Sequence, residues 1–325
     1  MSSVARGSRR PGNSRTSHET DTRRHPEAGM STLAALLRCM RPWQYTKNLL
    51  VFAALIFAQR LGDTSAVLVT VLAFVLFSMV ASSVYLINDV RDYEDDRRHP
   101  EKCHRPIASG ALSPRLALGA AAVLAVVGVG GSFAVNVGLG AVVAGYFGLQ
   151  MLYQAALKRM VLLDVFAIAA GFVLRAVAGA EAIEVVISPW LLICTLLLAL
   201  FLGLAKRRGE LVLLAEGAEG HRRTLNLYSL EMLDQLIPVM AASTLMSYCL
   251  YTISERTVAE LGSTRMMYTI PFVIYGLFRY VYLIHRHGQG GAPDRTLLRD
   301  RPLLLTVALY GLTAAAIIYL APDGA

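Results

Sequence analysis

The clearest pattern in this chain of 325 residues is a series of long apolar runs separated by short polar segments. About 20 apolar residues are enough for a helix to cross a bilayer. The runs predict about nine transmembrane helices, at 48–62, 65–87, 115–135, 137–156, 161–180, 187–205, 232–253, 267–285 and 302–320. The sequence therefore predicts an all-α integral membrane protein in which the first span has only a short apolar core.

The two ends of the chain differ in character. Residues 1–30 are rich in Arg, Ser, Gly, Thr and His and show no apolar periodicity, which predicts a disordered tail. Residues 31–325 contain every predicted span and are expected to form one transmembrane domain.

Composition supports a membrane location, since 55% of residues are hydrophobic and only 17% are charged. The net charge of +8 lies mainly in the loops and in the first fifty residues. Such a charge favours membrane lipids with anionic heads and phosphorylated substrates. Nucleic acid is not an expected partner, because the sequence predicts no soluble basic surface interleaved with aromatic residues.

Basic residues also predict the orientation, because they accumulate in every second connection. Examples are Arg97, Arg98 and Lys102 after the second span and Lys206 and Arg207 after the sixth. Loops rich in Lys and Arg remain on the cytoplasmic side. We therefore expect a multi-pass protein of the plasma (inner) membrane, with a cytoplasmic N-terminus and cytoplasmic basic loops.

An acidic cluster follows the second span and is the main chemical signal. Asn88, Asp92 and Asp96 recur at helical spacing and form one stripe, with Asp89 beside them. Carboxylate and amide oxygens suit Mg²⁺, which commonly binds one or two carboxylates together with substrate phosphates. The cluster predicts a site for a Mg²⁺-bound diphosphate, with a solvated acidic loop as the alternative.

Several cations and polar groups are expected at the same side of the membrane. Their positions at helix ends also satisfy the positive-inside rule and the helix dipole, so a purely topological role stays open for them. Lys206 and Glu210 are spaced to share a helix face. The candidate substrate-binding residues are Lys47, Asn88, Arg105, Tyr153, Lys158, Lys206, Arg207 and Glu210.

Arg175 is a separate signal, because it lies about 16 Å into the fifth span. A charged residue at that depth normally faces a partner or a water-filled cavity. Asp164 and Glu181 are candidate partners for a structural ion pair. The alternative is a role in a substrate cavity.

The combined motifs resemble those of the UbiA superfamily of intramembrane prenyltransferases, from about Arg41 to the C-terminus. Asn88-Asp89-x-x-Asp92-x-x-x-Asp96 is similar to the first Asp-rich motif of that family. Tyr153-x-x-x-Leu157-Lys158 is similar to its Tyr-x-x-x-Lys element, and Arg105-Pro106 to the basic segment after the first motif. The resemblance implies a helical bundle in which Asp89, Asp92 and Asp96 are catalytic and bind Mg²⁺ with Asn88.

One departure from the family pattern bears on the substrate. Most members carry a second Asp-rich motif after the sixth helix, where this chain has Ala205-Lys206-Arg207-Arg208-Gly209-Glu210-Leu211. Cations in place of carboxylates argue for direct contact with phosphate oxygens. The segment resembles a subgroup whose donor is phosphoribosyl pyrophosphate and whose acceptor is a polyprenyl phosphate such as decaprenyl phosphate, for cell-wall arabinan synthesis.

Two other functions remain open at this stage. A prenyl diphosphate-dependent aromatic prenyltransferase would share the first motif but should need the missing second one. A transporter or channel would need polar residues spread through the depth of the bilayer, whereas most charges here lie at its inner surface. The apolar outer faces would also permit a homo-oligomer.

Overall fold

The computed structural model describes residues 30–215, 225, 227–261, 263–287 and 293–320. Within these ranges the protein is helical and contains no strand. The tail predicted for residues 1–30 lies outside the described residues except for Met30. The α-helices are α1 Thr32–Met40, α2 Ala53–Phe57, α3 Thr64–Arg91, α4 Tyr93–Arg98, α5 Pro114–Val135, α6 Val137–Ala155, α7 Leu163–Ala182, α8 Pro189–Ala215, α9 Leu230–Ile253, α10 Glu255–Leu261, α11 Ile270–His287, α12 Pro293–Arg299 and α13 Arg301–Leu320.

Seven of these helices in the described ranges are long and apolar enough to cross a membrane: α3, α5, α7, α8, α9, α13 and α11 with the turn before it. The protein is therefore a multi-pass helical membrane protein, although the expected number of nine spans is not reproduced. The run at 137–156 forms α6, a helix of 19 residues whose apolar character is lowered by glycines and by Gln150 and Gln154.

The run at 48–62 differs from its prediction as a single span. Residues Pro42–Phe52 form a 3₁₀ helix, and only Ala53–Phe57 continue as α-helix. The 3₁₀ helix begins at Pro42, before the predicted run, and extends into it as far as Phe52. Beyond Phe57 the chain leaves the helix at Gln59, whose φ is 57°.

Helix α7 joins the two halves of the bundle. On one side it packs with α3, α6 and the 3₁₀ helix, around a core that contains Phe77, Val143 and Tyr146. On the other side it packs with α8, which in turn packs with α9, around a core that contains Phe201 and Ile237. A side chain at Gly179 would clash with the carbonyl of Val51, so this glycine allows the 3₁₀ helix to lie directly on α7.

The bundle has two chemically distinct ends. The aspartate end contains the last turns of α3, α6 and α8 and the first turns of α7 and α9. The opposite end contains the first turns of α3 and α8, the last turns of α7 and α9, and α10. Because α3 has 28 residues, the two ends are separated by about 40 Å.

Candidate active site at the aspartate end

The acidic cluster lies where α3 passes into α4. The amide of Asp92 donates to the carbonyl of Asn88 at 2.9 Å, and the amide of Asp96 donates to the carbonyl of Asp92 at 2.8 Å. The helical path therefore continues through the junction, as the residue spacing predicts. Seven residues separate Asp89 from Asp96, which places both on the same helix face.

Asp89 and Asp96 form the buried half of this cluster. Arg105 Nη1 lies 3.2 Å from Asp89 Oδ1 and 2.6 Å from Asp96 Oδ2, so a single guanidinium joins the two carboxylates. Arg41 Nη2 lies 2.5 Å from the same Asp89 oxygen. The carboxylate side chains are 3% and 5% exposed, whereas those of Arg41 and Arg105 are 24% and 30% exposed. Cations at the rim therefore hold two buried anions.

Asn88 and Asp92 form the more open half. Asn88 Nδ2 donates to Asp92 Oδ2 at 3.1 Å, and Lys158 Nζ lies 3.7 Å from Asp92 Oδ1. The Asp92 side chain is 34% exposed. The predicted residues Asn88, Asp92 and Lys158 thus meet at one point that a ligand from solution can reach.

Arg41 is a site residue that the sequence reasoning did not select. It ends α1 in the left-handed backbone region, with φ 55° and ψ 60°, which is uncommon for residues other than glycine. Its guanidinium binds Asp89 and lies 5.1 Å from the centre of the Tyr85 ring. Its signal in the sequence was its place at the start of the segment Arg41-Pro42-Trp43-Gln44-Tyr45-Thr46-Lys47-Asn48, which resembles the same subgroup.

The end of α6 links the two sides of the site. Gln154 is buried and its Nε2 donates to the carbonyl of Val84 at 3.3 Å, which fixes α6 to α3. Tyr153 lies near enough to Arg207 to interact with its charge, and Lys158 lies beside Asp92. The Tyr153–Lys158 segment therefore runs between the acidic cluster and the last turns of α8.

The last turns of α8 carry a second group of ion pairs. Arg207 is 3% exposed, with Nε 2.7 Å from Asp164 Oδ2 and Nη1 2.6 Å from Glu210 Oε2. Lys206 Nζ lies 3.9 Å from Glu210 Oε1, and its side chain is 47% exposed. The expected Lys206–Glu210 pair is therefore present. Arg207 is engaged by two carboxylates, so the expected phosphate contact suits Lys206 better.

Tyr228 completes this group and was missed in the sequence, because it lies 64 residues from its partner. Its hydroxyl donates to Asp164 Oδ1 at 2.6 Å and accepts from the amide of Leu162 at 2.8 Å. Burial first, and then the hydrogen bond to Asp164, raise the pKa of Tyr228 above its ordinary value. The phenol therefore stays protonated and keeps donating to the carboxylate.

Arg175 lies apart from both groups. Its guanidinium donates to Asn48 Oδ1 at 2.8 Å, to the carbonyl of Gly171 at 2.7 Å and to Tyr146 Oη at 3.0 Å. The faces of Phe77, Tyr146 and Phe172 lie within about 5 Å of it.

The expected ion pair of Arg175 with Asp164 or Glu181 is therefore wrong. Asp164 lies three helical turns away and binds Arg207 and Tyr228 instead. The Glu181 side chain lies against Gly138 at the opposite end. The Arg175 guanidinium is surrounded by neutral oxygen atoms and aromatic faces in place of a counter-charge.

Lys47 is half-buried on the 3₁₀ helix, next to buried Asn48. Asn48 donates to Ser78 Oγ at 3.0 Å and accepts from Arg175, so it connects the 3₁₀ helix to α3 and α7. Ser78 lies 11 residues before Asp89, about 16 Å along α3. This link fixes the segment on which Lys47 lies.

The side-chain oxygens at Asp92 fit a divalent metal ion whose remaining coordination positions are filled by the substrate. Among the described residues, no three His, Cys, Asp or Glu side chains converge on a preformed metal site. Mg²⁺, however, commonly takes only one or two protein carboxylates and fills its remaining positions with phosphate oxygens and water. Asp92 with the neighbouring Asn88 amide offers such a partial set, and Asp89 and Asp96 lie one turn away on either side.

The fold is similar to those of several solved structures. A UbiA homolog from Archaeoglobus fulgidus bound to DMAPP and Mg²⁺ superposes with a TM-score of 0.66 over 87% of this chain and 99% of that chain, at 16% sequence identity. At this identity the comparison concerns the fold alone. The fold is therefore that of the UbiA homologs, a bundle of membrane-spanning helices, here with a carboxylate-rich site at one end.

The family model for the UbiA prenyltransferase family matches residues 48–299. The chain therefore belongs to the UbiA prenyltransferase family. Two of its relatives are proteins named decaprenyl-phosphate phosphoribosyltransferase. The one from Corynebacterium glutamicum is 32% identical over 94% of this chain and 93% of its own length. The one from Mycolicibacterium smegmatis is 35% identical over 90% and 96%.

Proposed function

We propose that this protein transfers the 5-phosphoribosyl group from phosphoribosyl pyrophosphate to a polyprenyl phosphate, most simply decaprenyl phosphate, and releases pyrophosphate. The observation that carries the proposal is the pairing of an acidic cluster with a cationic α8 segment, in a chain similar over nearly its whole length to phosphoribosyltransferases. A second acidic motif for prenyl diphosphate is replaced by Lys206, Arg207 and Arg208.

The acidic cluster is assigned to the donor's diphosphate. Asp92 and Asn88 would hold Mg²⁺ together with the diphosphate oxygens, with Asp89 and Asp96 as the further carboxylates. When bound, the metal neutralises charge on the leaving group as the bond between C1 and oxygen breaks. Arg105 keeps Asp89 and Asp96 in fixed positions through its shared contact.

The cations around the cluster are assigned to phosphate groups and to the ribose. Lys47, Tyr153 and Lys158 would contact the diphosphate or the ribose, and Lys206 the 5-phosphate or the acceptor phosphate. Arg207 would have a positioning role without touching the substrate, because it holds Glu210 beside Lys206. Arg175 would act through Asn48 on the segment that carries Lys47.

The acceptor needs no dedicated general base. A lipid phosphate is already an anion at neutral pH, and its attack on the face of C1 opposite the diphosphate would invert that carbon. Positive charge that develops on the ribose is favoured by the nearby carboxylates. The isoprenoid chain would lie along apolar helix faces while the water-soluble donor enters at the aspartate end, and holding the two together supplies much of the rate.

The aspartate end is assigned to the cytoplasmic side. It carries Lys102, Arg105, Lys158 and the basic residues of α8, and basic loops are retained in the cytoplasm. A donor with this many phosphate charges cannot cross the bilayer unaided, so it must reach the site from the water at this side. The lipid product would then serve arabinan assembly in the cell wall.

The test uses purified protein in detergent with Mg²⁺, radiolabelled phosphoribosyl pyrophosphate and decaprenyl phosphate. We expect label to move into the organic phase, and EDTA or Asp89→Ala to stop the transfer. A parallel assay supplies geranylgeranyl diphosphate with an aromatic acid. Prenyl transfer there, with none from phosphoribosyl pyrophosphate, would overturn the proposal in favour of an aromatic prenyltransferase.

A further inference from the structure

A cavity of about 460 Å³ lies at the opposite end of the bundle, about 40 Å from the acidic cluster. It is enclosed by α2, the segment before α8, the end of α9 and α10. Volumes of this order are typical of sites for small ligands. At that distance the proposed reaction uses none of the residues that line it.

The lining changes from apolar to polar along the direction of the spans. Phe57, Leu191 and Tyr251 belong to α2, α8 and α9 and supply the apolar wall. Arg256 and Glu260 lie on α10, beyond the end of α9, and supply the polar rim. Such a gradient at the end of transmembrane helices matches an amphipathic molecule that lies at the membrane surface.

The polar rim carries one charge of each sign. Arg256 Nε lies 2.6 Å from Glu260 Oε1, and Arg256 Nη2 donates to the carbonyl of Val186 at 3.3 Å. The two side chains are 38% and 49% exposed, so their own ion pair contributes little and can be exchanged for ligand groups. A ligand that also carries both charges complements this rim.

Ser188 supplies a further donor. Its hydroxyl oxygen is buried and has no hydrogen-bond partner, although a buried polar atom normally has one. Ser188 directly precedes α8, and the positive end of that helix's dipole favours an anion. Together with the Arg256 guanidinium, these groups favour a phosphate at this side of the cavity.

We propose that this cavity binds the head group of one zwitterionic phospholipid from the leaflet at the opposite end. Its phosphate accepts hydrogen bonds from Arg256 and Ser188, its ammonium group donates to Glu260, and its acyl chains leave along Phe57, Leu191 and Tyr251. Phosphatidylethanolamine has this chemistry, because it combines a phosphate with an ammonium donor.

The test is native mass spectrometry of the full-length protein released from detergent, after incubation with phosphatidylethanolamine or phosphatidylglycerol. We expect one retained phosphatidylethanolamine per chain and a clear preference for it. Arg256→Gln and Glu260→Gln should each weaken retention about five- to tenfold, the loss of one charge-assisted hydrogen bond. Ser188→Ala should weaken it less.

The matched control is Arg60→Gln. Arg60 pairs with Asp63 at 2.5 Å at the same end of the bundle and, like Arg256, contacts a backbone carbonyl, but it does not line the cavity. Retention should be unchanged in this variant. A thermal unfolding midpoint for every variant identifies any that fail to fold, and Ser188→Ala serves if a charge variant does.

Three results would overturn the proposal: no retained phospholipid, equal retention of both lipids, or equal loss in the Arg60→Gln control. Protection of the protein against heat by inorganic phosphate alone would show a free anion site instead. None of these measurements depends on transferase activity, so they do not depend on the outcome of the phosphoribosyl assay.

Discussion

The two groups of ion pairs at the aspartate end differ in the sign of the charge that is buried at their centre. In the acidic cluster, buried Asp89 and Asp96 are held by cations at the rim. In the α8 group, buried Arg207 is held by Asp164 and by the partly exposed Glu210. A site whose cations lie at the rim leaves its more exposed carboxylate, Asp92, within reach of a metal. A site with a buried guanidinium keeps its cation, because removing one partner of a buried pair is costly.

This difference predicts separate roles, catalysis at the acidic cluster and positioning at the α8 group. Substitutions in the two groups should therefore differ in their effects on activity and on stability.

The largest effect is expected at Asp92. Asp92→Asn keeps the hydrogen-bonding shape but removes the charge of the exposed carboxylate, so transfer should fall at least about 10³-fold, or about 4 kcal/mol of barrier. The thermal unfolding midpoint should barely change. The control is Asp95→Asn, three residues away and exposed, which should retain activity. Transfer within tenfold of wild type in Asp92→Asn would remove Asp92 from the metal site.

The next effect is on stability, at Arg207. Arg207→Met leaves buried Asp164 without its cation and takes the nearer of two cations from Glu210, so it should lower the free energy of unfolding by about 3–5 kcal/mol. Denaturation in mixed micelles measures it. Arg159→Met, at an exposed cation on the short turn after α6, is the matched control and should change little.

A double substitution sharpens this test. Asp164→Leu combined with Arg207→Met removes both charges of the buried pair and should recover part of the lost stability. Additive losses in the double variant would show that Arg207 and Asp164 do not act as a pair.

A smaller effect is expected at Lys206. Lys206→Met should raise the KM for one substrate about tenfold, or about 1.4 kcal/mol, and leave kcat nearly unchanged, because an exposed cation contributes equally to ground state and transition state. Steady-state kinetics with each substrate varied in turn would show which phosphate it contacts. A fall in kcat with unchanged KM would assign Lys206 to the transition state instead.

The smallest effect is expected at Arg41, where two contributions to the free energy of unfolding oppose each other. Arg41→Gly relieves the left-handed backbone but loses the ion pair with Asp89, so the net change in stability should stay within about 1 kcal/mol. Arg41→Ala loses the pair and keeps the strain, so it should be less stable than Arg41→Gly by about 1 kcal/mol. Equal stability of the two variants would show that the backbone strain is negligible.

Much of the fold was predictable from the sequence, because apolar runs mark helices directly. Eight of the nine predicted runs are helices, from α3 to α13, with bounds close to those expected except at α8, which continues to Ala215, ten residues beyond the predicted end. The exception is the run at 48–62, where a 3₁₀ helix that begins at Pro42 extends to Phe52 and only Ala53–Phe57 are α-helical. The structure does not reproduce the expected number of spans.

Part of the candidate site was predictable from local spacing, and part from the family resemblance, which pointed to Arg105 and Lys158, now found against Asp89 and Asp96 and against Asp92. The helical spacing of Asn88, Asp92 and Asp96 gave the acidic cluster, and the Lys206–Glu210 pair follows from its i,i+4 spacing. Contacts across the fold were not accessible in this way. Asp164 was expected beside Arg175 on its own helix, but binds Arg207 and Tyr228 from other parts of the chain.

The 3₁₀ helix has a consequence for which changes of chain length the protein can accept. At about 2.0 Å per residue its 11 residues span about 22 Å, whereas an α-helix of that length would span about 16 Å. It reaches from Arg41 at the acidic cluster to Val51 against Gly179. Deleting one residue would turn everything beyond it by about 120° and take Asn48 away from Ser78 and Arg175. Surface loops commonly gain and lose residues during evolution. The number of residues in this segment, however, is fixed by the contacts at its two ends.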